Sequence, residues 1–160
     1  MPAIEGNTTR RVLVLFWVTV VFGFAVSPLI FIGTSVARGR AVASAAGEWT
    51  ASLFKPGYNE YLVDLLMAAP FLAAAVFLLS HLSGPRVTRG RWAGITGALA
   101  AGAALTLWGL IAIRMSSSST AAIAYIFLPF EVVIAMLVGY AGGRVVEKLR
   151  PRSTIGSSIS

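Results

Sequence analysis

Four separate apolar runs of roughly 20 residues or more constrain this chain more than any other feature, because a run of that length crosses a ~30 Å hydrocarbon core as an α-helix. Inside a bilayer no water is present to satisfy backbone N–H and C=O groups, so each run must close its hydrogen bonds within itself and fold as helix. We read the runs as residues 12–34, 60–82, 92–114 and 120–143. The expected fold class is therefore an all-α integral membrane protein. Its four transmembrane helices form an antiparallel bundle, with a short interfacial helix in the first, outside loop. Residues 1–11 are expected as a cytoplasmic lead, 12–150 as the four-helix transmembrane domain, and 151–160 as a disordered, basic, serine-rich tail.

Composition agrees: 57% of the chain is hydrophobic and 12% charged, against roughly 25% charged residues in a soluble domain. Mean hydropathy is +0.81. The formal charge of +7 could suggest a nucleic-acid partner. The basic residues adjoin the apolar runs instead of covering an independent fold, so they read as topology signals and lipid-headgroup contacts, and no nucleic-acid partner is expected. The absence of cysteine excludes a thiol redox cycle, disulfides and thiolate ligation of metals or clusters.

The lead ends in Arg10 and Arg11, and Asn7 and Thr8 can cap the first helix. The first run is longer than the roughly 7–15 apolar residues of a signal peptide, so it is read as a transmembrane helix. The connection from Ser35 to Asn59 is alanine-rich in its first half and carries Trp49, Leu53 and Phe54 near its end, which predicts the short interfacial helix. Pro56-Gly57 ends it as a turn, and Asn59 can cap the second long helix. A tight loop from Ser83 to Arg91 leads to the third. His81 is the only histidine in the chain; it cannot supply a histidine-rich metal site or both axial ligands of a haem, and it is read as an interfacial side chain. No metal or other cofactor is expected.

Orientation follows from the cations. With the amino terminus inside, Arg10, Arg11, Arg86, Arg89, Arg91, Arg144, Lys148, Arg150 and Arg152 lie on the cytoplasmic side, against Arg38, Arg40, Lys55 and Arg114 outside. The excess predicts a multi-pass protein of the cell membrane, plasma or bacterial inner, with both termini cytoplasmic. Trp17 and Trp92 then fall toward the inner interface and Trp108 toward the outer one.

Within this frame one carboxylate stands out. Glu131 lies about eleven residues after Thr120, which at ~1.5 Å per residue is ~16 Å, near the middle of the hydrocarbon core. An ionisable group at that depth is costly and is a site hypothesis by default. Three roles stay open: a neutral clasp to a neighbouring helix, a titrating site for a proton or ion, or a contact to another subunit. Pro28, Pro70 and Pro129 are expected to kink three different helices at similar depths, roughly 9 to 15 Å from the outer ends. With Asp64, Arg114 and Glu131 they suggest a polar cleft open to the outside, in which Arg114 approaches one of the acids. Small residues mark packing faces: Gly94, Ala98 and Gly102 repeat every fourth position on the third helix, and Gly139 and Gly143 form a second such pair on the fourth.

No glycine-rich phosphate loop, HExxH or serine nucleophile elbow is present, so no catalytic residue is assigned and an enzyme is not expected. Two classes of function remain. One is a non-enzymatic accessory, assembly or protective subunit packed against a larger membrane complex. The other is a small oligomeric transporter or proton-coupled channel using Glu131. The expected partners are the lipid bilayer and another membrane protein, or a second copy of the chain.

Overall fold

The structure, a computed structural model, describes residues 3–55, 60–80, 88–116 and 121–149, with side chains for residues 9–55, 61–80, 88–116 and 123–149. Among the described residues it is all-helical, in the order α1 (Ala3–Ala37), α2 (Val42–Leu53), α3 (Glu60–Ser80), α4 (Arg89–Met115) and α5 (Ala121–Leu149). Four of these, α1, α3, α4 and α5, are long and apolar enough to cross a membrane.

The ends of the helices differ in part from the expectation. α1 begins at Ala3, so the expected polar lead is mostly helical, and Asn7 and Thr8 lie inside the helix instead of capping it. No proline lies between Ala3 and Val12, and the long apolar run behind the single Gly6 can carry extra turns. At the other end, α5 continues to Leu149, past the expected stop at residue 143, because the stretch from Arg144 to Leu149 contains neither glycine nor proline. Thr88 caps α4, its hydroxyl accepting from the Arg91 N–H. α1 stops at Gly39, whose φ of 88° is left-handed. Gly39 N–H donates to the Val36 carbonyl at 2.9 Å and Arg40 N–H to the Ser35 carbonyl at 3.2 Å, the paired bonds of a Schellman ending. The turn reverses the chain into α2, the short helix expected in this connection. The Pro56-Gly57 turn, the Asn59 cap, His81, the loop around Arg86 and the tail beyond Leu149 lie outside the described residues.

The long helices associate most extensively as two pairs, α4 with α5 and α1 with α3. One core cluster joins all four: Val26 of α1, Met67 and Phe71 of α3, Leu110 of α4, and Leu128, Val132 and Met136 of α5. A second, smaller one holds Val12, Leu78 and Ile95. Phe22 meets Phe71 edge-on, with ring centroids 5.0 Å apart. Large apolar side chains also cover the outside, among them Leu13, Val21, Leu29, Val76, Trp108 and Leu137.

Candidate functional site

The inward stripe of α3 runs through Met67, Ala68, Phe71, Ala75 and Leu78, all buried, at the three- and four-residue spacing of one helix face. Asp64 stands three residues before Met67 and so extends this stripe toward α1. There the Ser27 hydroxyl donates to Asp64 Oδ1 at 2.5 Å, and Ser27 itself is 2% exposed. Thr19 and Thr106 are the other buried polar residues among those described, and both donate back to their own helix, to the carbonyls of Leu15 and Gly102. Ser27 alone of the three crosses to another helix. Nothing in the sequence marks Ser27, since a lone serine in an apolar run carries no pattern.

Two further groups complete this cluster. The Trp49 indole of α2 lies in range of the Asp64 carboxylate, but its buried Nε1–H falls short of hydrogen-bond geometry and has no other partner among the described residues. Arg114, in the last turn of α4, is close enough to act on Asp64 through its charge. Its guanidinium lies over the Phe31 ring, 4.5 Å from the centroid, and near Tyr125 at 5.6 Å, a cation–π setting that stabilises a partly desolvated arginine. Its backbone carbonyl accepts from the Arg38 side chain. One end of the fold thus gathers residues from α1, α2, α3, α4 and α5 around a single carboxylate.

Glu131 is placed differently. The inward stripe of α5 is Leu128, Val132 and Met136, and Glu131 sits one position before Val132, about 100° around the helix. It is exposed on the outer side of α5 and lines a groove of about 280 Å³ with Trp108, Ala112 and Ser116 on one wall and Ala124 and Leu128 on the other. Neither Asp64 nor Arg114 lines that groove. No hydrogen bond or ion pair to Glu131 occurs among the described residues. The three residues expected in one cleft are therefore divided: Asp64 and Arg114 lie within electrostatic range of each other, and Glu131 faces out. The clasp considered for Glu131 is the one that Asp64 makes with Ser27.

The small residues all lie along the α4/α5 seam. A Cβ on Gly94 would stand 2.7 Å from the Tyr140 ring, one on Gly102 2.7 Å from Met136 Cγ, and one on Gly139 2.7 Å from Ala101 Cβ. The closest approaches are between backbones: an added Cβ on Gly143 would run into the Ala93 carbonyl, and one on Gly97 or Gly139 would run into the carbonyl of the other. Ala98 packs against the main core cluster. The stripe Ala93, Gly97, Ala101 thus brings backbone against backbone, and Gly94, Ala98 and Gly102, one position round, meet side chains. On the other pair, Gly23 plays the same part, with Phe71 Cβ 2.9 Å from its missing Cβ. Pro28, Pro70 and Pro129 each lie within an unbroken helix, and Pro70 and Pro129 are buried.

Among the described residues no group of three or more His, Cys, Asp or Glu side chains is placed to hold a metal ion. The cluster around Asp64 can pair charges and hydrogen bonds across helices, and the groove at Glu131 presents a carboxylate outward from an apolar wall. Comparison with known proteins gave no match, either to a family model, to a curated protein or to a solved structure, so the functional reading rests on these two sites.

Proposed function

We propose that this chain is a multi-pass protein of the cell membrane, an antiparallel four-helix bundle with both termini cytoplasmic and α2 lying at the outer interface. In this reading it acts as a non-enzymatic accessory subunit that packs against a larger membrane protein. The observation that carries the proposal is the outward position of Glu131, an exposed carboxylate in an otherwise apolar helix surface. Left against lipid it would carry a heavy desolvation cost. A partner helix offering a lysine, arginine or hydroxyl at that depth removes the cost, and the small side chains of Ala112 and Ala124 leave room for such a helix to approach.

The alternative is a small oligomeric transporter or proton-coupled channel with Glu131 as its titrating group; the separation of Glu131 from Asp64 and Arg114 leaves it without the shared polar cleft, and the accessory-subunit reading is the better supported. The apolar exterior, with Leu13, Val21, Leu29, Val76 and Leu137 all outward, supports immersion in lipid. Reporter fusions after Arg91 and after Arg152 should report cytoplasm and one after Gly57 the outside; a cytoplasmic signal at Gly57 overturns the topology.

The partner is tested by photo-crosslinking in intact membranes from residue analogues placed at Ala112 and Ala124. The expected product is a stoichiometric adduct with one foreign membrane protein, lost in Glu131→Leu and absent from a probe at Leu137. Adducts only with further copies of this chain, or adducts unaffected by Glu131→Leu, would overturn the accessory-subunit reading.

A further inference from the structure

At the opposite end of the long helices from the Asp64 cluster, two grooves adjoin and share residues. One, of about 850 Å³, runs along Ala93, Gly97 and Ala100 of α4 and Gly143 and Val146 of α5. The other, of about 420 Å³, runs along Val14, Leu15 and Val18 of α1. Arg11, Trp92 and Thr96 line both. Arg89 adds a second cation to the larger groove and Arg10 to the smaller. Each groove therefore has apolar walls along the helices and arginine at its end. Glu147 also lines the larger one, so that groove carries two positive charges against one negative.

We propose that this pair of grooves is a binding site for an anionic phospholipid, with the phosphate held between Arg11 and Arg89 and acyl chains lying along the two apolar channels on either side of Trp92. The inference rests on the transmembrane reading but not on the accessory-subunit reading. Three features select this ligand. The walls suit hydrocarbon, the bidentate guanidinium matches phosphate oxygens, and an indole at the junction suits the boundary between headgroup and chain. A free phosphate could use the arginines but would leave the channels without an occupant, and a zwitterionic lipid would fill the channels while bringing its own cation to the arginines. Basic pockets between transmembrane helices recognise anionic headgroups in this manner.

The test uses the full chain in mild detergent, with native mass spectrometry reading adducts of phosphatidylglycerol, phosphatidylcholine and inorganic phosphate. Phosphatidylglycerol should be retained over phosphatidylcholine by roughly fivefold for each engaged arginine, and inorganic phosphate should give no adduct. Arg11→Gln with Arg89→Gln should bring the two lipids to equal retention, while Arg38→Gln, at the other end of α1, should keep the preference. Equal retention of both lipids by the unaltered protein overturns the site, and so does a preference that survives the double substitution. A phosphate adduct as strong as that of the anionic lipid also overturns it, by assigning the arginines to a free anion. If the double variant does not fold, Arg89→Gln alone must lower the ratio, and an unchanged ratio counts against the proposal. Alkaline carbonate extraction separates the two levels of failure. Release of the protein into the soluble fraction overturns the transmembrane reading and this site with it, whereas a protein that stays in the membrane and shows no lipid preference overturns the site alone.

Discussion

The two main helix pairs solve the same packing problem by opposite means. α1 and α3 approach through Gly23 and then form a part-buried polar contact, Ser27 to Asp64, between them. α4 and α5 meet through bare backbone along Ala93, Gly97, Gly139 and Gly143, and the one carboxylate in the apolar part of α5, Glu131, is left outside. In the proposed membrane setting both solutions answer the weak drive for apolar helices to associate in lipid, where hydrocarbon is as good a surrounding as another leucine. Close backbone contact supplies dispersion over a long seam. A single hydrogen bond between helices supplies less energy but specifies register, since only one sliding position brings Ser27 to Asp64. The difference teaches that an acid in an apolar helix is not one kind of object: Asp64 bonds within the fold, and Glu131 points away from it.

The comparison breaks most readily at the seam. Gly97→Leu forces a side chain into the backbone of α5, which has no rotamer to yield, and should lower stability by about 3 kcal/mol. Thermal unfolding in one detergent should register this as the largest loss, and a variant as stable as the parent would show that the seam is not the closest contact. Asp64→Leu comes next. It removes the acceptor of the Ser27 hydroxyl and the negative charge near Arg114, for a cost of about 2 kcal/mol. Asp64→Asn keeps an acceptor for Ser27 and should lose less; equal losses would point to the charge instead of the hydrogen bond.

Ser27→Ala should lower stability by about 1 kcal/mol, and its coupling to Asp64→Leu in a double-mutant cycle, in which each single change removes the hydrogen bond, should be of that size or smaller, the range found for hydrogen bonds between membrane helices. Strict additivity of the two changes would remove the clasp. The smallest expected effect is that of Glu131→Leu, within about 0.5 kcal/mol in the isolated protein, since no bond among the described residues is lost. A drop as large as that of Asp64→Leu would abolish the contrast between the two acids and place Glu131 back among the structural groups.

How much was legible beforehand differs sharply between elements and faces. The four long helices follow from run length alone, and the short helix α2 from an alanine-rich stretch followed by Trp49 and Leu53. Their ends were less secure: α1 and α5 run on past the expected boundaries because polar residues that mark a membrane edge do not by themselves stop a helix. Small-residue spacing identified the right pair of helices at the seam. On α5 it named Gly139 and Gly143, which lie at the backbone contact, but on α4 it named Gly94, Ala98 and Gly102, where the contact runs through Ala93 and Gly97, because glycine and alanine occur on both faces of α4 and spacing cannot rank them.

What the sequence determined by itself is thus the set of helices and their apolar character, since backbone hydrogen bonding in a hydrocarbon-length run leaves no other local structure. The tertiary structure alone decided which side of each helix looks inward. In a water-soluble bundle that side is written in the sequence as an apolar stripe opposite a polar one. Here the outer face is as apolar as the inner, with Val133, Ile134, Leu137 and Val138 exposed around buried Val132 and Met136 on α5. With no amphipathic signal to read, one residue of rotation separates a buried Glu131 from an outward one. That rotation is set by the packing of Leu128, Val132 and Met136 against Val26, Met67, Phe71 and Leu110, contacts that exist only once the four helices have come together.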